Sequence, residues 1–316
     1  MPEVITIGEI LVEIMRRKSD VPLNETGEFV GPFPSGAPAI FIDTVSRLGK
    51  DSGIIGTVGG DDFGEVLFSR LKEDDVDISQ VKKQEDEFTG TAFVSYRSDG
   101  SRKFIFHVDK SAAGMVAPRD IPEDLIKESS ALHITGSSLT MCESMREACY
   151  KAVEIAKEND TLVSFDPNVR EETVEGEDFE KIADPVLVVS DLLSPGLKEL
   201  KISTGIEDEE EAVEKMLEKG VECVGIKLGE QGCRIYTEGE SVESKGYEID
   251  EVDPTGAGDA FSAALLVGWM EDMKIERMAK FANAVGAKAV SKQGPMEGVP
   301  LREEVEEILE KGSIEQ

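Results

Sequence analysis

Cysteine and histidine are scarce in this sequence. Its 316 residues include four cysteines, at positions 142, 149, 223 and 233, and two histidines, at positions 107 and 133. The cysteines form no CxxC pair, and Cys142 and Cys149 lie seven residues apart, two turns along one helix face and too distant to bridge. We therefore expect buried, reduced thiols, and a metal site built from soft ligands is excluded.

Positive charge and long apolar runs are also in short supply. The chain has 34 lysines and arginines against 66 aspartates and glutamates, and its net charge of −32 would repel a nucleic-acid backbone. No run approaches the ~20 apolar residues that span a bilayer, and the chain starts with strand-like residues 4–7 instead of a signal segment. We expect a cytoplasmic protein with no nucleic-acid or membrane partner. The acidic runs 207–211 and 303–307 are typical of solvated helix faces, and a saline habitat is one hypothesis for them.

Two common phosphate-binding motifs are missing as well. The sequence has no GxxxxGKS/T motif, and the glycine-rich run 56–64 does not have the GxGxxG spacing after a strand. A P-loop enzyme or a dinucleotide-dependent enzyme is therefore disfavoured.

Apolar, β-branched runs alternate with helical stretches along the chain. This alternation predicts a mainly parallel sheet covered by helices, with functional loops at the carboxyl ends of the strands. The predicted strands are 5–7, 52–56, 131–134, 162–165, 187–189 and 224–226, and helices are predicted over 143–158 and 207–219.

Two regions interrupt this alternation. Residues 11–33 and 91–106 have the pattern of antiparallel strands, the second with a turn at 97–101, and together they would form a small separate sheet. Lying over the strand ends, such a sheet would be a lid that excludes water. The alternative is an ordinary peripheral hairpin.

The run 252–261, Val-Asp-Pro-Thr-Gly-Ala-Gly-Asp-Ala-Phe, combines a glycine turn, a helix start and a carboxylate. Gly256 and Gly258 allow the backbone N–H groups to approach an anion such as a phosphate. Asp259, in the first helical turn, is placed to accept the proton of a substrate hydroxyl. The run indicates phosphoryl transfer, although an ordinary loop-to-helix turn with a capping acid would look the same.

Two further polar turns follow predicted strands. Asp166, Asn168 and Arg170 come after 162–165, a combination suited to recognising hydroxyl or carboxylate groups, or else an Asx turn with a surface ion pair. The segment 227–232 offers a lysine and glycines to a nucleotide phosphate, or else a solvent-facing hairpin turn.

These segments, in this order, resemble the ribokinase-like (PfkB) carbohydrate kinases over nearly the whole chain. The first segment to match is 8–13, and 35–39, 59–64, 227–232 and 253–261 match further family segments. The resemblance implies an α/β fold with a three-layer α/β/α core and a mainly parallel sheet. It also implies a single domain over 1–316, with lid strands from about 11–33 and 91–112 inserted in the core.

The resemblance assigns roles residue by residue. Asp259 would activate a primary hydroxyl, and the N–H groups of Gly256, Ala257 and Gly258 would hold the γ-phosphoryl group of ATP. The implied sugar contacts are Glu13, Gly36, Phe104, Phe106, His107, Asp166, Asn168, Arg170 and Asp259. The implied nucleotide contacts are Lys227, Gly229, Gly232, Gly256, Gly258 and Asn283. Glu199 would hold Mg²⁺ through water, and Asp253, Thr255 and Gly294 would hold a monovalent cation such as K⁺.

Within the family, the sequence is most similar to fructokinases and tagatose kinases, which implies phosphorylation of a ketohexose by a homodimer. The 2-keto-3-deoxygluconate kinases share the 166–170 pattern, and a non-catalytic sensor of sugar and nucleotide is an alternative of another class. Four positions depart from the family pattern: Ser35 replaces the first glycine of the glycine turn, Ile40 an asparagine, Val108 an arginine, and Gly196 an asparagine three residues before Glu199. The loss of a cation at Val108 argues against a carboxylated substrate.

Overall fold

A computed structural model describes residues 1–98, 100–169 and 178–314. Arg170, and Asp99 in the predicted turn at 97–101, lie outside the described residues. The strands are β1 Val4–Ile7, β2 Leu11–Arg16, β3 Phe29–Ser35, β4 Ser52–Gly59, β5 Val81–Gln84, β6 Gly90–Tyr96, β7 Arg102–His107, β8 Ala131–Thr135, β9 Leu162–Asp166, β10 Leu192–Leu193, β11 Cys223–Lys227, β12 Cys233–Thr237 and β13 Glu240–Ser244. The helices are α1 Ala37–Arg47, α2 Asp62–Glu73, α3 Glu123–Lys127, α4 Gly136–Met141, α5 Glu143–Glu158, α6 Phe179–Leu187, α7 Leu197–Thr204, α8 Glu209–Glu218, α9 Ala257–Met270, α10 Ile275–Ala289 and α11 Arg302–Lys311.

The large sheet has the strand order β13-β12-β11-β10-β9-β8-β1-β4-β5. The strands from β11 to β5 are parallel, and β12 and β13 add an antiparallel edge, which confirms the predicted mainly parallel sheet. β1 lies between β4 and β8, so the strand order reverses beside it. Ligands of open α/β sheets bind at the carboxyl ends of the strands next to such a reversal.

Helices cover both faces of this sheet. Val4 of β1 belongs to one hydrophobic core with residues of α1, α9 and α10, whereas Ile5 and Ile7 belong to a second core with residues of α5, α6 and α8. Successive strand residues point to opposite faces, so one strand contributes to both cores. The three-layer α/β/α architecture is therefore confirmed.

A small sheet with the order β3-β2-β6-β7 stands apart from the large one. The pairs β2–β3 and β6–β7 are antiparallel, as predicted, but β2 and β6 pair in parallel at the centre. The prediction of a purely antiparallel sheet is thus wrong at that pair. β2 follows β1 and β6 follows β5, two strands of the parallel sheet, so β2 and β6 leave the core in the same direction.

One predicted strand is wrong. Residues 187–189 end helix α6 and the turn after it, and the neighbouring strand of the sheet is β10, Leu192–Leu193. Val186 and Leu187 are buried on the inner face of α6, and a short apolar run does not distinguish a strand from a buried helix end.

The remaining sequence predictions concern helices and cysteines. α5 has the predicted bounds, and the second predicted helix is shorter than 207–219 because Asp208 caps α8 by accepting a bond from Glu211 N–H. All four cysteines are free thiols, three of them buried and Cys142 partly exposed. In the described part of the chain, no helix is long and apolar enough to cross a membrane.

Candidate functional site

A cavity of about 1120 Å³ lies between the small sheet and the carboxyl ends of the parallel strands. Its lining combines residues that follow β1, residues of β7 and the first turn of α9. The described residues that line it include Glu9, Leu11, Glu13, Ser35, Gly36, Ile40, Arg102, Phe104, Phe106, Val108, Asp109, Ser137, Asn168, Lys198, Glu199, Lys227, Thr255, Gly256, Gly258 and Asp259.

Helix α9 begins at this cavity. Gly256 precedes it with φ 85°, and a Cβ at that position would lie 2.5 Å from the carbonyl oxygen of Pro295, so only glycine fits. The first N–H groups of a helix have no acceptor within it and carry partial positive charge, which suits an anion. Gly256, Gly258 and Asp259 line the cavity, and Ala257 is the first residue of the helix.

Asp259 is buried in the first turn of α9 and contacts the turn after β9. The side-chain amide of Asn168 donates a hydrogen bond of 2.7 Å from Nδ2 to Asp259 Oδ1. The backbone N–H of Asn168 donates to Asp166 Oδ1 at 3.1 Å. Asn168 therefore connects two carboxylates that the sequence places 93 residues apart, since Asp166 and Asp259 come from different elements.

Asp166 is fully buried and lies beneath the cavity, outside its described lining. Its Oδ2 accepts bonds from Lys227 Nζ at 2.6 Å and from Ser262 Oγ at 2.8 Å. Burial disfavours the charge of Lys227, but the negative charges of Asp166 and Glu199 outweigh this cost and raise the pKa of Lys227. Lys227 is thus a fixed cation at the end of β11, facing Gly258, whose added Cβ would lie 3.5 Å from Nζ.

The small sheet carries residues that the resemblance predicts to contact sugar: Glu13 on β2, and Phe104 and Phe106, which form an aromatic wall on β7. Glu13 Oε1 accepts a hydrogen bond of 2.7 Å from Ser35 Oγ, and the rings of Phe104 and Phe106 stack with centroids 5.2 Å apart. These residues and Gly36 line the cavity. His107 is exposed, lies outside the described lining and makes an edge contact with Phe93.

Glu9 and Arg102 line the cavity, although the sequence did not predict a role for either residue. Glu9 follows β1, is buried, and accepts bonds of 2.7 Å from the hydroxyls of Ser137 and Ser138. Arg102 begins β7 and adds a cation to the cavity lining. Glu9 could have been predicted as a site residue because it is an acid two residues after β1, beside the point where the strand order reverses.

Asp253 holds together three segments around the start of α9. Its Oδ1 accepts bonds from Tyr96 Oη at 2.9 Å and Thr255 N–H at 3.0 Å, and its Oδ2 accepts one from Gly294 N–H at 3.0 Å. Burial and the charge of Asp253 raise the pKa of Tyr96, which keeps its hydroxyl protonated as a donor. Asp253, Thr255 and Gly294 therefore lie together, as the resemblance implies.

Glu199 lines the cavity near the start of α7. Its Oε2 accepts the N–H of Gly196 at 2.6 Å, and its Oε1 accepts the N–H of Val169 at 3.0 Å. These two bonds fix the carboxylate in place and leave lone pairs on both oxygens. A carboxylate held at the cavity surface fits a role in binding a hydrated Mg²⁺ ion.

The other predicted nucleotide residues lie away from the described cavity lining. Gly229 and Gly232 have positive φ in the turn between β11 and β12, and an added Cβ at Gly232 would lie 2.0 Å from the carbonyl oxygen of Ser244. Asn283 of α10 donates to the carbonyl oxygens of Ser244 and Lys245. Gly232 and Asn283 therefore both lie beside residues 244 and 245, at the end of the edge strand β13.

A glycine-capped helix start with a carboxylate in its first turn, beside a fixed lysine, is an arrangement suited to phosphoryl transfer onto a hydroxyl group. The comparisons with known proteins agree with this class. The sequence model of the pfkB family of carbohydrate kinases matches residues 1–302. The chain therefore belongs to the pfkB family of carbohydrate kinases, and it is a sugar kinase.

Several relatives are similar over their whole length. The chain is 34% identical to Fructokinase-1 of Oryza sativa subsp. japonica over 318 residues, covering 97% of each protein. It is 34% identical to Fructokinase-1 of Zea mays over 319 residues, covering 98% of each. Two solved structures of a candidate ribokinase II from E. coli are 40% identical to this chain, and each match covers 98% of this chain and 100% of the E. coli chain. The TM-score is 0.93 for the structure without ligand and 0.92 for the structure in complex with ATP and Mg²⁺.

Proposed function

We propose that this sugar kinase transfers the γ-phosphoryl group of ATP to a primary hydroxyl of fructose. The observation that carries the proposal is the position of Asp259 in the first turn of α9, in one cavity with Glu13 and the aromatic wall of β7. The full-length similarity to two fructokinases supports fructose as the acceptor. The similar E. coli protein in complex with ATP supports ATP as the donor.

In this proposal Asp259 accepts the proton of the sugar hydroxyl as its oxygen attacks the γ-phosphorus. The bond between the γ-phosphorus and the oxygen that bridges it to the β-phosphate breaks, and ADP leaves. The N–H groups of Gly256, Ala257 and Gly258 hold the transferred phosphoryl group, and Lys227 adds a positive charge beside Gly258. Glu13 and Gly36 bind sugar hydroxyls, and Phe104 and Phe106 cover the sugar and exclude water. Positioning and electrostatics therefore carry the reaction, as expected for phosphoryl transfer.

Two positions in the site are proposed for metal ions. Glu199 would hold Mg²⁺ through water, and the ion, when bound, neutralises phosphate charge. A monovalent cation at Asp253, Thr255 and Gly294 stays a prediction, because the described contacts occupy both oxygens of Asp253 with protein donors. Initial rates in potassium chloride and in sodium chloride at equal ionic strength test it.

The nucleotide is proposed to extend from Lys227 along the turn with Gly229 and Gly232 towards Asn283. Arg170 remains a proposed sugar contact outside the described residues, and His107 a proposed contact at the rim. We also propose a cytoplasmic homodimer; sedimentation equilibrium gives a mass of two chains if the dimer forms and of one chain if it does not.

A 2-keto-3-deoxy sugar acid is the second candidate acceptor. Arg102 lines the cavity, and a guanidinium group there can pair with a carboxylate. A panel of fructose, tagatose, ribose and 2-keto-3-deoxygluconate, with ATP consumption followed by a coupled assay, separates the candidates. A strong preference for the acid would replace the fructose assignment, and no sugar-dependent consumption of ATP would favour a non-catalytic sensor.

The variant Asp259→Asn tests the catalytic base. We expect kcat to fall about 10²- to 10⁴-fold because the amide cannot accept the proton, while ATP binding and the fold persist. Asp62→Asn is the matched control, since Asp62 is an exposed acid in the first turn of α2. Near-normal turnover of Asp259→Asn would remove Asp259 from this role.

A further inference from the structure

The turn after β9 contains a residue with an unusual backbone conformation. Asn168 has φ 35°, in a region that residues other than glycine seldom adopt, although asparagine tolerates it better than most. Its N–H bonds to Asp166 Oδ1, and Asp166 is itself held by Lys227 and Ser262. A buried ion pair therefore fixes the backbone of Asn168 in this conformation.

The side chain of Asn168 is oriented towards Asp259. Nδ2 lies 2.7 Å from Asp259 Oδ1, and the opposite orientation of the amide would place two oxygen atoms at this short distance. An amide N–H can only donate, so the bond favours the ionised carboxylate that a base requires. The bond also restricts rotation of the carboxylate about its own axis.

Asp166 holds the backbone of Asn168 in place by accepting a hydrogen bond from its N–H group. It is fully buried and outside the described cavity lining, so it is not placed to contact a sugar, and its partners are Lys227, Ser262 and the backbone of Asn168. The first and third residues of the Asp-Pro-Asn run are thus connected to the phosphate side of the site, Asp166 through Lys227 and Asn168 through Asp259.

We propose that Asn168 is a positioning residue that orients the carboxylate of Asp259 for proton transfer, with Asp166 as its anchor, instead of being a sugar ligand. The proposal rests on the proposed role of Asp259 as the base. It assigns Asp166 and Asn168 to the reaction step and leaves sugar binding to Glu13, Gly36, Arg170 and the residues of β7.

The variant Asn168→Gly tests the proposal without disturbing the fold, because glycine adopts the positive φ of this position readily. We expect kcat to fall roughly 10- to 100-fold, as for a misplaced reacting group, with the KM for the sugar changed less than about threefold. Asp160→Gly is the matched control, since Asp160 is an exposed residue with φ 56° in another turn, and its turnover should equal that of the parent.

The variant Asn168→Asp distinguishes donation from acceptance. A carboxylate at position 168 cannot donate and would lie against Asp259, so we expect a kcat at least as low as that of Asn168→Gly. A sugar ligand that accepts a hydroxyl proton would instead keep its function in Asn168→Asp. A raised sugar KM with normal kcat in Asn168→Gly, restored by Asn168→Asp, would overturn the proposal.

A double variant separates this proposal from the role of Asp259. If Asn168 acts through Asp259, then adding Asn168→Gly to Asp259→Asn lowers kcat no further. Multiplied losses in the double variant would show independent roles and refute the inference. Normal turnover of Asp259→Asn would refute the base itself, whereas an impaired Asp259→Asn with a fully active Asn168→Gly would refute only the positioning role.

Discussion

Acidification is expected to destabilise the protein through His133, a residue of β8 at the centre of the large sheet. The ring is fully buried, stacks on Phe41 with centroids 3.6 Å apart, and shares a hydrogen bond of 3.0 Å between Nδ1 and Ser164 Oγ. Among the described residues, no polar group bonds to its buried Nε2. Burial, and then the positive charge of Lys227, hold the pKa of His133 well below the usual 6.5.

The direction and size of the effect follow from proton binding. The native state keeps His133 neutral, whereas the unfolded chain binds a proton as the pH falls through about 6.5. The stabilisation is therefore complete above that value and is lost below it. Because the ring stays neutral in the native state, proton binding by the unfolded chain lowers the free energy of unfolding by about 0.8 kcal/mol at pH 6 and about 2 kcal/mol at pH 5.

The comparison of the parent with His133→Asn isolates this contribution. Asparagine does not titrate, so any cost of the substitution is constant with pH, and other titrating groups cancel in the difference. Urea unfolding between pH 8 and pH 5 can be followed by the fluorescence of Trp269, the single tryptophan. His107→Asn is the control, since His107 is exposed. Parallel stability curves for the parent and His133→Asn over this range would refute the reasoning.

Two further substitutions test individual contacts. Asp43→Ala removes a buried carboxylate that lies 2.9 Å from the guanidinium of Arg70, and Asp74 is then the remaining carboxylate partner of Arg70 among the described ion pairs. We expect the free energy of unfolding in urea titrations to fall by about 3 kcal/mol. A loss below about 1 kcal/mol would contradict a role for the buried pair. Tyr96→Phe removes the bond of 2.9 Å to Asp253. Bonds to charged groups contribute about 1.5–3 kcal/mol, so we expect kcat/KM to fall about 10- to 150-fold. Unchanged steady-state kinetics would show that the bond does not support the start of α9.

Local patterns predicted the start of α9 and the presence of the parallel sheet. Gly256 before Ala257, with Asp259 two residues later, is a helix-start signal contained in a few neighbouring residues, and the helix begins there. The alternation of apolar runs with helical stretches likewise predicted the sheet. By contrast, Leu192–Leu193 is too short to give a strand pattern, and the apolar end of α6 imitates one.

Contacts between segments that are distant in the chain could not be predicted from the sequence. Asp166 and Lys227 are 61 residues apart, and Tyr96 and Asp253 are 157 residues apart. Each pair depends on which strand neighbours which, and residue types do not determine that order. The sequence consequently grouped Asp166 with the sugar contacts, although the strand order places it beneath the cavity next to Lys227.

Gly36 is the whole connection between β3 and α1, which end and begin at Ser35 and Ala37. Its φ is 108°, and a Cβ would lie 2.3 Å from the carbonyl oxygen of Glu9. Because only one residue separates β3 and α1, β3 cannot change its position without moving the first turn of α1. Ile40, in that first turn, lies next to Gly256. The small sheet is not an exchangeable module: transplanting it between relatives would require Gly36 and α1 to move with it.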